Sequence, residues 1–510
     1  MKNSKLLKQP AGVAAVSAAI SGVLIHMFGI VTILHNYDDV ITHPQGYGTG
    51  VTSGRWFLEL LGSIVERLSF GYNLSWVNGL VLILLIALSA AFLVDALGMK
   101  SKKTATLWGM LMVSFPAVVS TLIFNFTAPY YGVSLLLAVL AVWVLPKHKF
   151  GFVASIVCIA CSLGIYQAYV PVTITIFVMI LLKKLLDEDA SILDLLKQGI
   201  FDCLVLAAGL ILYYAIVKIT IAAYDGQLNS YQGISEMGQM SLKELVKLVI
   251  KSVKGYYRIP FFDNYSLAQI PALRLGYGLA YGLTFVLIWA VLLLKKKSIL
   301  EILAAGALWL VFPVAVNFIT VMTPQGSVYT LMVYPFALVF CLPALLAEWM
   351  PELSGFRKKL KTIATKLTAA VLVLVVTYYA YWANVNYTAL FYANRQAENY
   401  MNALFTQVRM TEGFDTEKDW AFLGEIEDPL FYSWWDKVPL YGGNSGRMSL
   451  LNGYSGLAWP VVYFGYAPPL ATEDTMAALK ADPQVQEMPC WPNAGSIAVI
   501  GDNVVIKFQN

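Results

Sequence analysis

The chain has 510 residues, 58% of them hydrophobic and only 13% charged, with a formal net charge of +4. A typical soluble domain carries about twice that charged share, and so small an excess of positive charge is no nucleic-acid signature. Apolar runs of about 20 residues recur along the chain, each long enough to cross a ~30 Å hydrocarbon layer, so the composition describes a multi-pass membrane protein.

Lys2, Lys5 and Lys8 precede the first apolar run, 11–34. No small-residue cleavage site stands out after it, so it reads as a retained first helix rather than a removed signal peptide. Directly behind it lies HNYDDV, with the paired carboxylates Asp38 and Asp39, followed by a loop holding Gly46, Gly48, Gly50 and Gly54. Phe57, Leu60, Leu61, Ile64 and Leu68 recur at helical spacing near 54–70, which predicts an amphipathic helix lying on the membrane.

Ten further spans follow, at 75–97, 104–123, 128–146, 151–168, 170–186, 200–223, 270–294, 298–321, 328–348 and 366–388, giving about eleven transmembrane helices. Pro171 separates the close pair at 151–186, where one kinked helix is the alternative. With the N-terminus in the cytoplasm, every inside loop is basic. These loops carry Lys100, Lys102 and Lys103; Lys147 and Lys149; Lys183, Lys184 and Lys197; Lys295 to Lys297; and Arg357, Lys358, Lys359 and Lys361. The opposite loops 124–127 and 322–327 carry no Lys or Arg, as the positive-inside rule requires. HNYDDV and everything after Asn384 are then outside the cytoplasm.

The segment 224–269 contains SLKELVKLVIKSVKGYYR, with an apolar stripe at Leu245, Val246, Val249 and Val253 and a lysine row at Lys243, Lys247 and Lys251. It predicts a second amphipathic surface helix near 241–254, whose lysines are a solvated face that contacts headgroups. The tail 389–510 opens on a helical stretch and closes on two β-type runs around Gly501-Asp502-Asn503. This predicts a small α/β extracytoplasmic domain behind an all-α transmembrane domain at 1–388.

Of the five cysteines, Cys158, Cys161, Cys203 and Cys341 lie in apolar segments and Cys490 has no partner in its own domain, so neither a redox pair nor a disulfide framework is expected. His26, inside the first helix, reads as a satisfied core residue. Zinc spacing, a P-loop, a nucleophile elbow and a Rossmann fingerprint are all missing from the sequence, which argues against a cytoplasmic nucleotide substrate. The polar residues that remain are concentrated around the acidic pair: His35, Asn36, Tyr37, His43 and Arg55. Two neighbouring carboxylates can hold their pKa values apart, leaving one as a base; a solvated loop start is the plainer reading. Arg55 suits a phosphate through its planar fork, or anchors an interface beside Trp56. Lys218 either snorkels to the surface or faces a lipid phosphate, and Arg258 and Arg274, near Tyr256 and Tyr257, pose the same choice.

YDDV, GRWFLELL after the Gly-rich loop, SLGIYQAYVPV at 162–172, and the tail stretches NRQAENYMNALFTQVRM and MPCWPNAGSIAVIGDNVVIKF together give a pattern that resembles the type II glucosyl transferase family, within the GT-C membrane glycosyltransferases. The resemblance implies an inverting enzyme of the bacterial cytoplasmic membrane. It would take glucose or another hexose from undecaprenyl phosphate and pass it to a surface glycan, after a carrier-lipid sugar synthase and a flippase. It implies Asp38 or Asp39 as base, and Arg55, Lys218, Arg258 and Arg274 as cations for the donor phosphate. Tyr37, His43, Tyr166, Gln167, Tyr256 and Tyr257 are the candidate sugar or acceptor contacts. No cofactor or essential metal is expected, although an acidic pair can also hold a divalent ion. The competing classes are a transporter or flippase for a lipid-linked glycan, which would bury charge near the midplane, and a non-catalytic wall-assembly protein.

Overall fold

The computed structural model describes residues 9–224, 226–229, 241–262, 267–268, 270–323, 328–351, 354–426, 431–435, 438–444, 446 and 449–509. Lys2, Lys5 and Lys8, most of the loop 322–327 and part of 224–269 therefore lie outside the described residues. Contacts divide the chain into two units: Met1–Ile33 with Gly46–Val385, and Leu34–Gln45 with Asn386–Asn510.

The first unit is helical. Among the described residues nine helices are long and apolar enough to cross a membrane. Two of the eleven expected spans correspond to shorter apolar helices, Gly151–Ile165 and Tyr334–Trp349. The expected span 104–123 is two helices, Lys102–Ser114 and Pro116–Ile123. Pro116 has no N–H to give and forces Phe115 into an extended conformation (φ −62°, ψ 140°), so the break follows from the sequence. Around Pro171 the chain forms two helices, Gly151–Ile165 and Val170–Leu186, with Tyr166 extended and a 3-10 turn at Gln167–Tyr169 between them.

Three of the helix starts in the Lys-bearing loops are capped by serine. Ser101 and Ser191 accept from the backbone of Thr104 and Asp194, and Ser298 forms a full capping box with Glu301. Small residues let helices approach closely: a Cβ on Gly22 would meet Ile83, and one on Gly109 would meet the Ala14 carbonyl. His26 is buried, its Nε2 2.8 Å from the Val113 carbonyl oxygen, as a satisfied core residue should be. Leu24, Ile211, Leu293 and Leu310 are exposed, as lipid-facing residues are. Helices Trp56–Ser69 and Leu242–Phe262 occupy the two segments expected to be amphipathic.

In the second unit a three-stranded sheet has the order β1-β3-β2, with β1 Asp419–Leu423, β2 Ile497–Ile500 and β3 Asn503–Lys507. The hairpin β2–β3 turns at Gly501, whose φ of 61° suits glycine. β1 pairs with β3 in parallel, Ala421 opposite Val505. Trp420 and Trp459 are fully buried with Met401, Leu404, Phe405, Val504 and Ile506, so these two rings are core. Val40, next to the acidic pair, joins the same core. The helix Gly355–Met410 runs unbroken through the apolar stretch 366–388 and the expected tail helix, and the boundary between units falls inside it, after Val385. All five cysteines are free thiols.

Candidate active site

HNYDDV belongs to the second unit and is a short helix, Tyr37–Thr42, rather than a loop start. Asn36 is its N-cap: its Oδ1 accepts from the backbone N–H groups of Asp38 and Asp39 at 2.9 and 2.8 Å. An Asn followed by acidic residues in the first turn is the usual start signal. Asn394 pins the preceding residue from two sides, accepting from His35 N at 3.1 Å and donating to His35 O at 2.9 Å. Tyr463 donates its hydroxyl to the same Asn394 Oδ1 at 3.1 Å. The cap and the anchor together fix which way the two carboxylates leave the backbone.

Their environments differ. Asp39 is buried, with 6% exposure, whereas Asp38 is half-buried and accepts a hydrogen bond from the exposed Tyr454 hydroxyl at 3.0 Å. Burial raises the Asp38 pKa above the usual carboxylate value, and the Tyr454 hydrogen bond opposes that rise by favouring the charged form. The Tyr37 ring meets Tyr454 edge-on at 6.3 Å, and the His35 and His43 rings meet edge-on at 5.2 Å. His35 is pushed down to about 4 by burial and by repulsion from His43, so it is neutral near pH 7. Burial lowers His43 as well. Among the described residues no group of three His, Cys, Asp or Glu side chains could hold a metal ion.

Arg55, Tyr166 and Gln167 come together in the first unit. A tight turn places Arg55 just before the helix Trp56–Ser69: Gly54 N–H bonds Val51 O at 2.8 Å, Arg55 N–H bonds Gly50 O at 3.1 Å, and Gly54 has φ 69°. The Arg55 guanidinium lies 5.1 Å from the centre of the Tyr166 ring, which stacks on Tyr131 at 4.3 Å and 6°. Gln167 Nε2 donates to Ser53 O at 2.9 Å and to Tyr213 Oη at 3.0 Å, tying the turn to the helix Ile192–Ala223. Arg55 Nε is buried and has no hydrogen-bond partner among the described residues. A fixed guanidinium with a spare buried donor is suited to an anionic oxygen.

The other expected cations stand on three further helices of the first unit. Lys218 is exposed with its Nζ 5.3 Å from the Tyr214 ring centre, Arg258 is exposed on the helix Leu242–Phe262, and Arg274 donates from Nε to Ala268 O at 3.2 Å. Tyr256 is buried and stacks on Phe336 at 5.8 Å; Tyr257 is exposed and lies edge-on to Tyr256 at 4.8 Å. None of these forms a hydrogen bond or ring contact with Arg55 among the described residues. Sequence reasoning missed Tyr454, Asn394, Tyr131 and Tyr213. Tyr454 is 416 residues from Asp38, and no local pattern announces such a pairing.

A protein-family model described as glucosyl transferase GtrII matches residues 27–341, more than half of the chain. Searches of curated proteins and of solved structures return no match.

Proposed function

The chain belongs to the glucosyl transferase GtrII family, and from that premise we propose that it transfers glucose, or another hexose, from a polyprenyl-phosphate-linked donor such as undecaprenyl phosphate-glucose. The acceptor is a surface glycan at the non-cytoplasmic face of the bacterial cytoplasmic membrane, and the anomeric carbon inverts. That the chain is a membrane glycosyltransferase follows from its family and its apolar helices; the donor, the acceptor, the stereochemistry and the residue roles are our reading.

In the reaction an acceptor oxygen attacks the anomeric carbon, the bond to the phosphate oxygen breaks, and the carrier leaves as the lipid phosphate. Asp38 takes the acceptor proton. The single observation that carries this assignment is the contrast within the pair: Asp38 is accessible and held by Tyr454, whereas Asp39 is buried. A carboxylate with a raised pKa is a stronger base, when ionised, than an ordinary one. Asp39 serves to hold the short helix in place. In the first unit, Arg55 is the cation assigned to the carrier phosphate, because its buried Nε is a donor with no protein acceptor among the described residues. Tyr37 and His43 near the acidic pair, and Tyr166 and Gln167 near Arg55, are the proposed sugar or acceptor contacts.

The test is sugar transfer from a polyprenyl-phosphate donor by the reconstituted protein. Asp38→Asn is expected to lower the rate by about 100-fold or more, the usual contribution of a general base, with Asp39→Asn acting mainly through stability. Full transfer by Asp38→Asn would remove the base from this residue.

A further inference from the structure

The helix Leu242–Phe262 has three distinct faces. Leu248, Ser252, Tyr256 and Ile259 are buried against neighbouring helices of the same unit. A polar lock sits on that face: Ser252 Oγ donates to Asn317 O at 2.8 Å and Asn317 Nδ2 donates to Ser252 O at 2.9 Å. A Cβ on Gly255 would lie 2.5 Å from Asn317 Nδ2, so the glycine is what permits the approach. This docking fixes the rotation of the helix about its axis and therefore what the other two faces present.

One of them is apolar and exposed, at Val246, Ile250 and Tyr257. Beside it, Lys243, Lys247, Lys251, Lys254 and Arg258 are all exposed. At about 100° per residue these five fall within an arc of roughly 80°, in a row about 22 Å long. None forms an ion pair among the described residues. The one acid of the helix, Glu244, is engaged in its capping box, accepting from Ser241 N and Oγ at 2.8 and 2.7 Å. Like charges four residues apart oppose helix formation, so the row calls for an anionic counterpart. The exposed apolar strip next to it identifies that counterpart as a bilayer surface rather than a soluble polyanion, since a soluble ligand would leave Val246 and Ile250 in water.

We propose that the helix Leu242–Phe262 is a docked interfacial helix whose basic row selects anionic lipid headgroups, with its apolar strip set among the acyl chains. The assignment is independent of the transfer chemistry proposed above. A docked helix of this kind would gather negatively charged lipid at one place on the perimeter of the protein.

The experiment uses the full chain reconstituted in phosphatidylcholine vesicles, with spin-labelled phosphatidylglycerol or phosphatidylcholine as probe. Electron spin resonance reads the fraction of lipid held at the protein surface. Phosphatidylglycerol is expected to be favoured about twofold or more at low salt, and the preference is expected to fall toward unity in about 0.5 M salt. The exposed triple variant Lys247→Gln, Lys251→Gln, Lys254→Gln is expected to lose most of the preference, and Lys251→Gln alone part of it if the triple variant fails a circular-dichroism check. Lys102→Gln with Lys103→Gln is expected to keep it. Unchanged preference in the lysine-row variants, or an equal loss in the Lys102 and Lys103 variant, would overturn the proposal. So would loss of inorganic polyphosphate binding in detergent with lipid preference intact, which would make the row a polymer-binding face.

Discussion

Asp38 and Asp39 are adjacent in sequence but have different surroundings, because a single turn of helix sends one toward the core and the other toward Tyr454. Burial raises the Asp38 pKa, and the Tyr454 hydroxyl lowers it again by donating to the carboxylate. A base works only when ionised, so the acid limb of the transfer rate follows the Asp38 pKa. Tyr454→Phe removes a donor that favours the charged form; the pKa therefore moves further up and the acid limb moves to higher pH. The expected result is a loss of transfer confined to the acid limb, with the alkaline side of the profile left close to wild type, measured as a pH–rate profile beside wild type. A limb that shifts downward or stays in place would show that this hydrogen bond does not govern the base. The Asn36 cap was open to reading from HNYDDV itself, since an Asn before two acids is a helix start. Tyr454 was not, because tertiary structure alone brings it to the helix.

At the scale of elements, the turn that delivers Arg55 depends on one backbone conformation. Gly54 has φ 69°, and a Cβ there would lie 2.7 Å from Tyr213 Oη and 3.3 Å from Gln167 Nε2. Gly54→Ala then meets both left-handed strain and the hydrogen-bonded pair that braces the turn. The expected cost is about 1–2 kcal/mol, read as a lower thermal-unfolding midpoint in detergent. Gly282→Ala, which has nothing within 4 Å of its added Cβ, is the control and should leave the midpoint where it was or slightly higher. Helices of this kind were legible because hydropathy and length report directly on a lipid environment, and the amphipathic pair was legible from its period. The break at Pro116 was also written in the sequence, though a hydropathy window passes over it. β1 left no such trace: its partner β3 begins at Asn503, some 80 residues on, and five residues of DWAFL resemble many other short apolar runs.

For the whole molecule, orientation is the property on which the proposed function depends most, since a donor on the wrong side of the membrane is never met. Charge is what orients a multi-pass chain. Lys100, Lys102 and Lys103, Lys147 and Lys149, Lys183 and Lys184, and Lys295 to Lys297 all fall at alternate ends of successive helices. Several are tied into loop structure: Lys183 pairs with Glu188 at 2.9 Å, and Lys297 pairs with Asp189 at 2.7 Å and Glu301 at 2.8 Å. The Asp189 carboxyl is held below the usual value chiefly by its hydrogen bond from Lys297, so the pair is ionised at neutral pH. Pairing of this kind organises the loop but adds no net charge, and orientation is set by the Lys count rather than by net charge. The expected arrangement has Lys103 in the cytoplasm and Tyr72 and Lys480 outside. In a background with the five native cysteines replaced, Lys103→Cys should react with a membrane-impermeant maleimide only after the cytoplasmic membrane of spheroplasts is opened. Tyr72→Cys and Lys480→Cys should react in intact spheroplasts. The reverse pattern would invert the protein and put Asp38 on the cytoplasmic side, where a base for a surface acceptor has no use; labelling of Tyr72→Cys with protection of Lys480→Cys would instead mean an odd number of crossings between them, and would move the tail away from the side on which transfer is proposed.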